Sequence, residues 1–176
     1  MTRLKPIEAH ATEGVAAETL NAAPFNIFKA MANNPTVMEG LMALSGAISK
    51  SESLSPAETE AVMLRVSERN GCEYCLAAHT KIASNHGVDS DAAISYRRGE
   101  GTTNRESALL SFVDAILERN GWVEDSEMES FRAAGFGDDA VVEVVAVISW
   151  MTFTNTFNHV NRTELDFPAV PEAAGT

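Results

Sequence analysis

The residues with the clearest chemical potential lie in the decapeptide NGCEYCLAAH, residues 70–79. It contains both cysteines of the chain, Cys72 and Cys75, and a histidine, His79, four positions after the second cysteine. On a helix that turns about 100° per residue, all three side chains share one face. Cys75 and His79 are neighbours one turn apart, so the spacing predicts that their side chains touch.

The position of the cysteines in this predicted helix favours reactive thiols. Cys72 is at or just before the helix start and Cys75 is in the first turn, where unpaired backbone amides favour a thiolate. A histidine within reach can accept the thiol proton or stabilise the anion. Two thiols this close can also form a disulfide after one is oxidised. His86 shares the face but lies roughly 16 Å beyond Cys75, so we expect it to be a partner of the helix C-terminal dipole.

The preceding helix offers two acidic residues, Glu60 and Glu68. If the two helices fold back antiparallel about Gly71, Glu60 comes within a turn of His79. A chain from Glu60 through His79 to Cys75 then fits the geometry, while a surface position for Glu60 is an equal alternative. We expect Glu68 near the turn and in solvent.

Other interpretations of the cysteine pair stay open from the residues alone. C-x2-C-x3-H with one acid supplies ligand types that zinc accepts, although structural zinc sites usually draw ligands from two separate segments. Thioredoxin-like chemistry prefers a CxxC next to a strand–helix unit, and no strand is predicted before this one. Two buried thiols with a hydrogen-bonded core histidine are the third alternative.

The elements that must position these residues are predicted to be helical throughout. Apolar residues recur at helical spacing and no segment alternates with period two, which predicts one all-α domain over residues 1–176. Its motif-bearing core is about 55–87, and an extended tail covers about 165–176. Ser55, Pro56 and Glu58 form the strongest start signal. Asn104 and Ser126 are expected to cap two later helices. The predicted helices cover residues 35–50, 56–70, 72–86, about 90–98, 105–120, about 127–134 and about 138–161.

Composition excludes several classes of function. The 176-residue chain carries 25 acidic and 13 basic side chains, a net charge of −12. Nucleic acids and anionic membranes both select basic surfaces, so neither is an expected partner. No signal peptide or membrane span is expected, which predicts a cytoplasmic protein. In such a reducing compartment a cysteine pair is seldom a structural disulfide.

The segment LSPAETEAVMLRVSERNGCEYCLAAHTKIASNHG resembles the core of the alkylhydroperoxidase D / carboxymuconolactone decarboxylase family. The motif of the family's redox branch is an acid, twelve residues later a cysteine, and then C-x-x-C-x-x-x-H. Glu60, Cys72, Cys75 and His79 match it at the same spacing. A looser resemblance extends over about residues 15–170. One departure is Tyr74, where the best-known branch has a histidine.

The resemblance implies an all-helical fold that assembles into homo-oligomers, either trimers or hexamers. It implies a peroxidase that reduces a small-molecule hydroperoxide and takes electrons from an unidentified thiol reductant, without a metal or an organic cofactor. Cys75 would be the peroxidatic cysteine and Cys72 the resolving one, with His79 and Glu60 as a proton relay. A thiol–disulfide oxidoreductase with the same pair, or a metal-binding or structural oligomer without turnover, are the alternatives.

Trp150, Phe153 and Phe157 recur at spacings of three and four in the last predicted helix. We interpret them as a stripe that belongs to the core or to a subunit interface. Arg97 and Arg98 are expected to complement the dipole at the end of a short helix.

Overall fold

The computed structural model describes residues 1–173 and contains nine α-helices and no strand in that range. This confirms the predicted all-α class, while the prediction of one domain over residues 1–176 stays a prediction. Residues 174–176 of the predicted tail lie outside the described part. After a 3-10 turn at Ala9–Ala11, the helices are α1 Gly14–Ala22, α2 Asn26–Met31, α3 Pro35–Ile48, α4 Pro56–Asn70, α5 Glu73–Asn85, α6 Ser90–Arg97, α7 Asn104–Glu118, α8 Asp125–Ala133 and α9 Asp138–Asn161.

Two short helices, α1 and α2, precede the first helix expected from the sequence. Neither has a side-chain hydrogen bond at its N-cap, so the sequence carries no start signal there. α1 buries Ala16 and Leu20, which are four residues apart, and both helices pack against α3. Tertiary packing therefore stabilises these helices more than local sequence does.

The start and end of α4 follow the predicted signals. Ser55 accepts a hydrogen bond from the Glu58 amide, and the Glu58 carboxylate accepts one from the Ser55 amide. The helix ends at Gly71, whose φ of 66° is the left-handed conformation that glycine adopts at low cost. This turn sends α5 back along α4.

α4 lies at the centre of the molecule and is buried on two sides. Val62 and Val66 belong to the main apolar cluster, whereas Ala61 and Leu64 belong to a smaller cluster. Four helices pack on it: α5, α6, α7 and α9. A side chain on α4 that points towards α5 is therefore held inside a packed interior.

Two predicted N-caps are displaced by a few residues. Thr103 caps α7 in place of Asn104, because its side chain accepts a hydrogen bond from the helix amide three positions on. Before α8, the Glu127 carboxylate accepts a hydrogen bond from the Glu124 amide, and Glu124 is the N-cap residue. Ser126 therefore lies inside the helix. In both cases an acidic residue three positions after the cap completes the start, as in a capping box.

α9 is the longest helix, with 24 residues, and it packs along α3, α4 and α5. The sequence was expected to contain no stretch that is long and apolar enough to span a membrane. By length and composition, however, α9 is long and apolar enough, with a mean hydropathy of 1.4 over its best window. Half of that window is buried inside the protein. A helix in the core of a globular protein meets the same criteria, so the finding is weak evidence for a membrane span.

The segment after α9, residues 163–173, folds back over the helices as an extended strap. The Asp166 carboxylate accepts a hydrogen bond from the Asn26 amide at 2.8 Å, and Arg97 donates to the Pro171 carbonyl at 2.7 Å. Further along, Ala173 is buried. These contacts fix the strap to the start of α2 and the end of α6.

Candidate active site

The two cysteines lie at the start of α5, and both are buried free thiols. Cys72 is the N-cap residue, and its Sγ accepts the backbone N–H of Cys75 at 3.4 Å. Cys75 lies in the first turn, as expected from the sequence. The amide dipoles at a helix N-terminus favour negative charge on sulfur at this position.

The two thiols differ in acidity. The pKa of Cys75 lies below its ordinary value, chiefly because Cys72 donates a hydrogen bond to its sulfur, an effect that burial opposes. Hydrogen bonds from Asn158, Asn155 and Thr154 lower it further. The pKa of Cys72 is raised, first by its hydrogen bond to Cys75 and then by burial. The thiolate therefore forms at Cys75, and Cys72 keeps its proton.

Asn158 is a residue in contact with the cysteine sulfurs that the motif did not reveal. Its Nδ2 donates to Cys75 Sγ at 3.2 Å and lies 4.0 Å from Cys72 Sγ. Its Oδ1 is buried and has no hydrogen-bond partner among the described residues. A buried amide oxygen without a partner is costly, so its retention beside the sulfurs points to a role there.

Asn158 belongs to a buried polar stripe on α9. Its other members, Thr154, Asn155 and Asn161, lie at helical spacing on an otherwise apolar helix. Asn155 accepts a hydrogen bond from Asn70 at 2.9 Å, near the turn that precedes Cys72. The spacing of these polar residues was the one sequence signal that could have identified the stripe.

The structure brings Glu60 and His79 together. His79 Nδ1 lies 2.9 Å from Glu60 Oε2, and Glu60 is only 6 % exposed, so the acid faces inward from α4. With an ionised Glu60, this geometry assigns the proton to Nδ1 and leaves Nε2 as a proton acceptor. Among the described residues, no hydrogen bond joins His79 to Cys75. Both side chains line one cavity, and the direct contact expected between them stays a prediction.

That cavity has a volume of about 430 Å³, and Glu60, Cys75 and His79 all line it. Most of the wall is apolar, and its large side chains are Phe25, Phe28, Ile48, Met63, Trp150 and Phe167. We call it the apolar cavity. It combines an acidic thiol and a proton-carrying pair with space for an organic molecule, which is the usual character of a small-molecule site.

The strap forms part of the wall of the apolar cavity. Its Phe167 ring packs against Phe25 with centroids 5.0 Å apart and meets the Tyr74 ring edge-on at 6.4 Å. The Tyr74 hydroxyl donates to Asp166 at 2.5 Å. Burial, followed by this bond, raises the pKa of Tyr74. Tyr74 therefore serves as an anchor for the strap and stays protonated.

One expectation about a neighbouring charged residue is wrong. Glu68 is not in solvent, because its carboxylate accepts a hydrogen bond from Arg97 at 2.6 Å. Arg97 lies in the last turn of α6, as expected for a side chain that complements the helix dipole, and it is also buried in this ion pair. His86 is the C-cap residue of α5, as expected, and it also lines the apolar cavity.

The predicted aromatic stripe on α9 is divided. Trp150 is buried and lines the apolar cavity. Phe153 is 36 % exposed and stacks on Phe157 with centroids 6.2 Å apart.

In residues 1–173, no group of three or more His, Cys, Asp and Glu side chains is placed to hold a metal ion.

The predicted family resemblance is confirmed: residues 35–115 match the sequence profile of the carboxymuconolactone decarboxylase family. The fold is all-α and similar to the alkylhydroperoxidase D (AhpD) core, and it carries a close cysteine pair. A comparison with curated proteins gives no significant match.

Solved structures share this fold. An uncharacterized peroxidase-related protein with an AhpD core from Ralstonia eutropha JMP134 is 21 % identical, with a TM-score of 0.84 over 94 % of this chain and 92 % of that chain. A peroxidase-related protein from Silicibacter sp. TM1040 is 22 % identical, with a TM-score of 0.74 over 84 % and 80 %. A variant of the debrominase Bmp8 in complex with 2,3,4-tribromopyrrole is 18 % identical, with a TM-score of 0.77 over 94 % and 92 %. At these identities the likeness concerns the fold.

Proposed function

We propose that this protein is a thiol-dependent peroxidase that reduces organic hydroperoxides at Cys75. The observation that carries the proposal is the meeting of an acidified thiol with a hydrogen-bonded, partly buried Glu60–His79 pair in one apolar cavity. The apolar wall favours a hydroperoxide with a hydrocarbon body, because its burial there removes apolar surface from water. A cytoplasmic setting suits this chemistry, since its thiol pool keeps the pair reduced.

The first step is a two-electron oxidation of Cys75. The thiolate attacks the terminal oxygen of the hydroperoxide, a sulfur–oxygen bond forms, and the oxygen–oxygen bond breaks. The products are a sulfenic acid at Cys75 and an alkoxide. His79 accepts the thiol proton and returns it to the alkoxide, which leaves as an alcohol, while Glu60 stabilises the transient imidazolium.

The second step resolves the sulfenic acid. The Cys72 sulfur attacks the Cys75 sulfur, a disulfide forms, and the sulfur–oxygen bond breaks. The hydroxyl group leaves as water with the Cys72 proton. Cys72 is suited to this role because it keeps its proton while Cys75 reacts and because its sulfur adjoins the first turn of α5.

Separate substitution of the two cysteines tests these roles. Cys75→Ser should abolish consumption of cumene hydroperoxide. Cys72→Ser should support one turnover and then stall as a sulfenic acid at Cys75, which dimedone labels. If Cys72→Ser blocks the first oxidation and Cys75→Ser does not, the roles are reversed. If peroxide oxidises Cys75 no faster than free cysteine, the alternative of a thiol–disulfide oxidoreductase is favoured.

Reductive dehalogenation is a second candidate, favoured by the aromatic side chains that line the cavity beside Cys75. One aryl bromide and two thiols would give the arene, a disulfide, bromide and a proton, with the same two electrons. Bromide release from 2,3,4-tribromopyrrole in the presence of dithiothreitol measures it. Bromide release without consumption of hydroperoxide would replace the peroxidase assignment.

A further inference from the structure

The two cysteines open onto different cavities. Cys75 lines the apolar cavity, whereas Cys72 lines a second cavity of about 430 Å³ between the start of α5, the end of α9 and residues 163–165. We call this second space the polar cavity, because a larger share of its wall is polar and it is more open to solvent. Tyr74 lines both cavities, and Asn158 lines the polar cavity.

We propose that the polar cavity admits a low-molecular-weight thiol reductant and that Cys72 is the sulfur it attacks. The inference rests on the Cys72–Cys75 disulfide of the proposed function. Since the two sulfurs face different spaces, the reductant does not need to enter the apolar cavity. The oxidising and the reducing molecule then approach the disulfide from two different cavities.

Attack at Cys72 also gives the better leaving group. The reductant thiolate forms a bond to Cys72 Sγ, the Cys72–Cys75 bond breaks, and its electron pair goes to Cys75. Disulfide exchange is faster when the leaving thiol is more acidic. Cys75 is the more acidic of the two, and Asn158 Nδ2 already donates to its sulfur. A second thiol then attacks the mixed disulfide, which releases Cys72 as a thiol and the reductant as a disulfide.

A trapping experiment identifies the sulfur that is attacked. Full-length protein is oxidised with diamide, so that formation of the disulfide does not depend on peroxide activity. It is then mixed briefly with 2-mercaptoethanol and quenched with N-ethylmaleimide. Fragmentation of the tryptic peptide 70–81 should place the mercaptoethanol adduct on Cys72 and the maleimide on Cys75. An adduct on Cys75 would overturn the inference.

A second variant tests the entry route. Leu165 lines the polar cavity and is 39 % exposed, whereas Leu4 is 37 % exposed and lies outside it, which makes Leu4→Trp a matched control. Leu165→Trp should slow reduction of the disulfide by 2-mercaptoethanol by about tenfold, because the indole obstructs the approach. It should leave the rate of peroxide oxidation within about twofold. Equal reduction rates in both variants would refute the route.

The outcomes separate this inference from the proposed function. A protein that ignores hydroperoxide but shows the adduct on Cys72 would refute the peroxidase and leave the reductant site standing. Rapid oxidation by hydroperoxide together with an adduct on Cys75 would support the peroxidase and refute the reductant site. If diamide forms no disulfide between the cysteines, both proposals fail.

Discussion

At the scale of single residues, the reactivity of Cys75 depends on an amide that lies far away in the sequence. Asn158 donates to the Cys75 sulfur, and a hydrogen bond to a charged group contributes about 1.5–3 kcal/mol. Asn158→Leu should therefore raise the pKa of Cys75 and slow its alkylation by iodoacetamide at pH 7 at least about tenfold. The alkylation rate should fall as the pH drops through the Cys75 pKa, and the variant should need a higher pH for the same rate.

Asn161→Leu provides the control for this prediction. Asn161 is a buried asparagine one turn further along α9, and it bonds the Leu4 amide and Thr163 instead of a sulfur. Its substitution should affect stability but leave the alkylation profile unchanged. Identical alkylation profiles for the wild type and Asn158→Leu would show that Asn158 does not lower the pKa of Cys75.

The two glutamates of α4 should behave differently. Glu60→Gln removes the charge that stabilises the His79 imidazolium, so oxidation by hydroperoxide should slow roughly 10²-fold in stopped-flow measurements. Glu68→Gln should leave that rate unchanged but lower Tm by about 2–4 °C, because the buried Arg97 loses a charged partner. Equal effects of the two substitutions on oxidation would leave the relay unsupported.

The motif placed Cys72, Cys75, His79 and Glu60 correctly in the local geometry, since helical spacing and one tight turn relate all four. It could not place Asn158, because 83 residues separate it from Cys75 and only the packing of α9 on α4 and α5 joins them. Spacing along one helix does not show which neighbour from another helix a side chain will choose.

At the scale of elements, helices with a start signal or a long apolar pattern were predictable, and the short uncapped helices α1 and α2 were not. The capping box at Ser55 and the left-handed Gly71 fix both ends of α4 from local chemistry. α1 and α2 have no such signals and depend on contacts with α3. The strap was expected to be extended, but its role as a cavity wall depends on Asp166 and Phe167 meeting distant partners.

The strap leads to a prediction about Tyr74. Tyr74→Phe keeps the ring that packs on Phe167 but removes the hydroxyl that donates to Asp166. Loss of one such bond costs about 1 kcal/mol, so local opening should become several-fold more frequent. Amide hydrogen exchange should speed up in residues 163–170 and stay unchanged in α4. An equal increase in the exchange rate throughout the protein would instead indicate that the substitution destabilises the whole fold.

At the scale of the whole molecule, α9 presents an apolar face outwards. Val142, Val145, Phe153 and Val160 are exposed, and a cavity of about 630 Å³ runs along the same face near Phe153 and Phe157. Contiguous apolar surface of this kind favours association, and soluble oligomers are mostly closed and symmetric. We propose that this face packs against other copies of the chain in a trimer or hexamer.

Val160→Glu tests this assembly more cleanly than Phe157→Glu. Val160 is 57 % exposed, whereas Phe157 packs against the subunit's own core. A buried charge at an interface is costly, so Val160→Glu should lower the assembled mass in light scattering while helical circular dichroism persists. Glu129→Gln, on the outside of α8, provides a surface control. A wild-type protein that is monomeric at micromolar concentration would contradict the proposal.

The central claim is that hydroperoxide drives Cys75 and Cys72 into a disulfide, and one measurement tests it most directly. Reduced wild-type protein is mixed with one equivalent of cumene hydroperoxide, quenched at intervals with N-ethylmaleimide and analysed by mass spectrometry. We predict a transient sulfenic acid on Cys75, followed by a Cys72–Cys75 disulfide in a yield that matches the peroxide added. Protein that keeps two maleimide-reactive thiols while the peroxide persists would contradict the account.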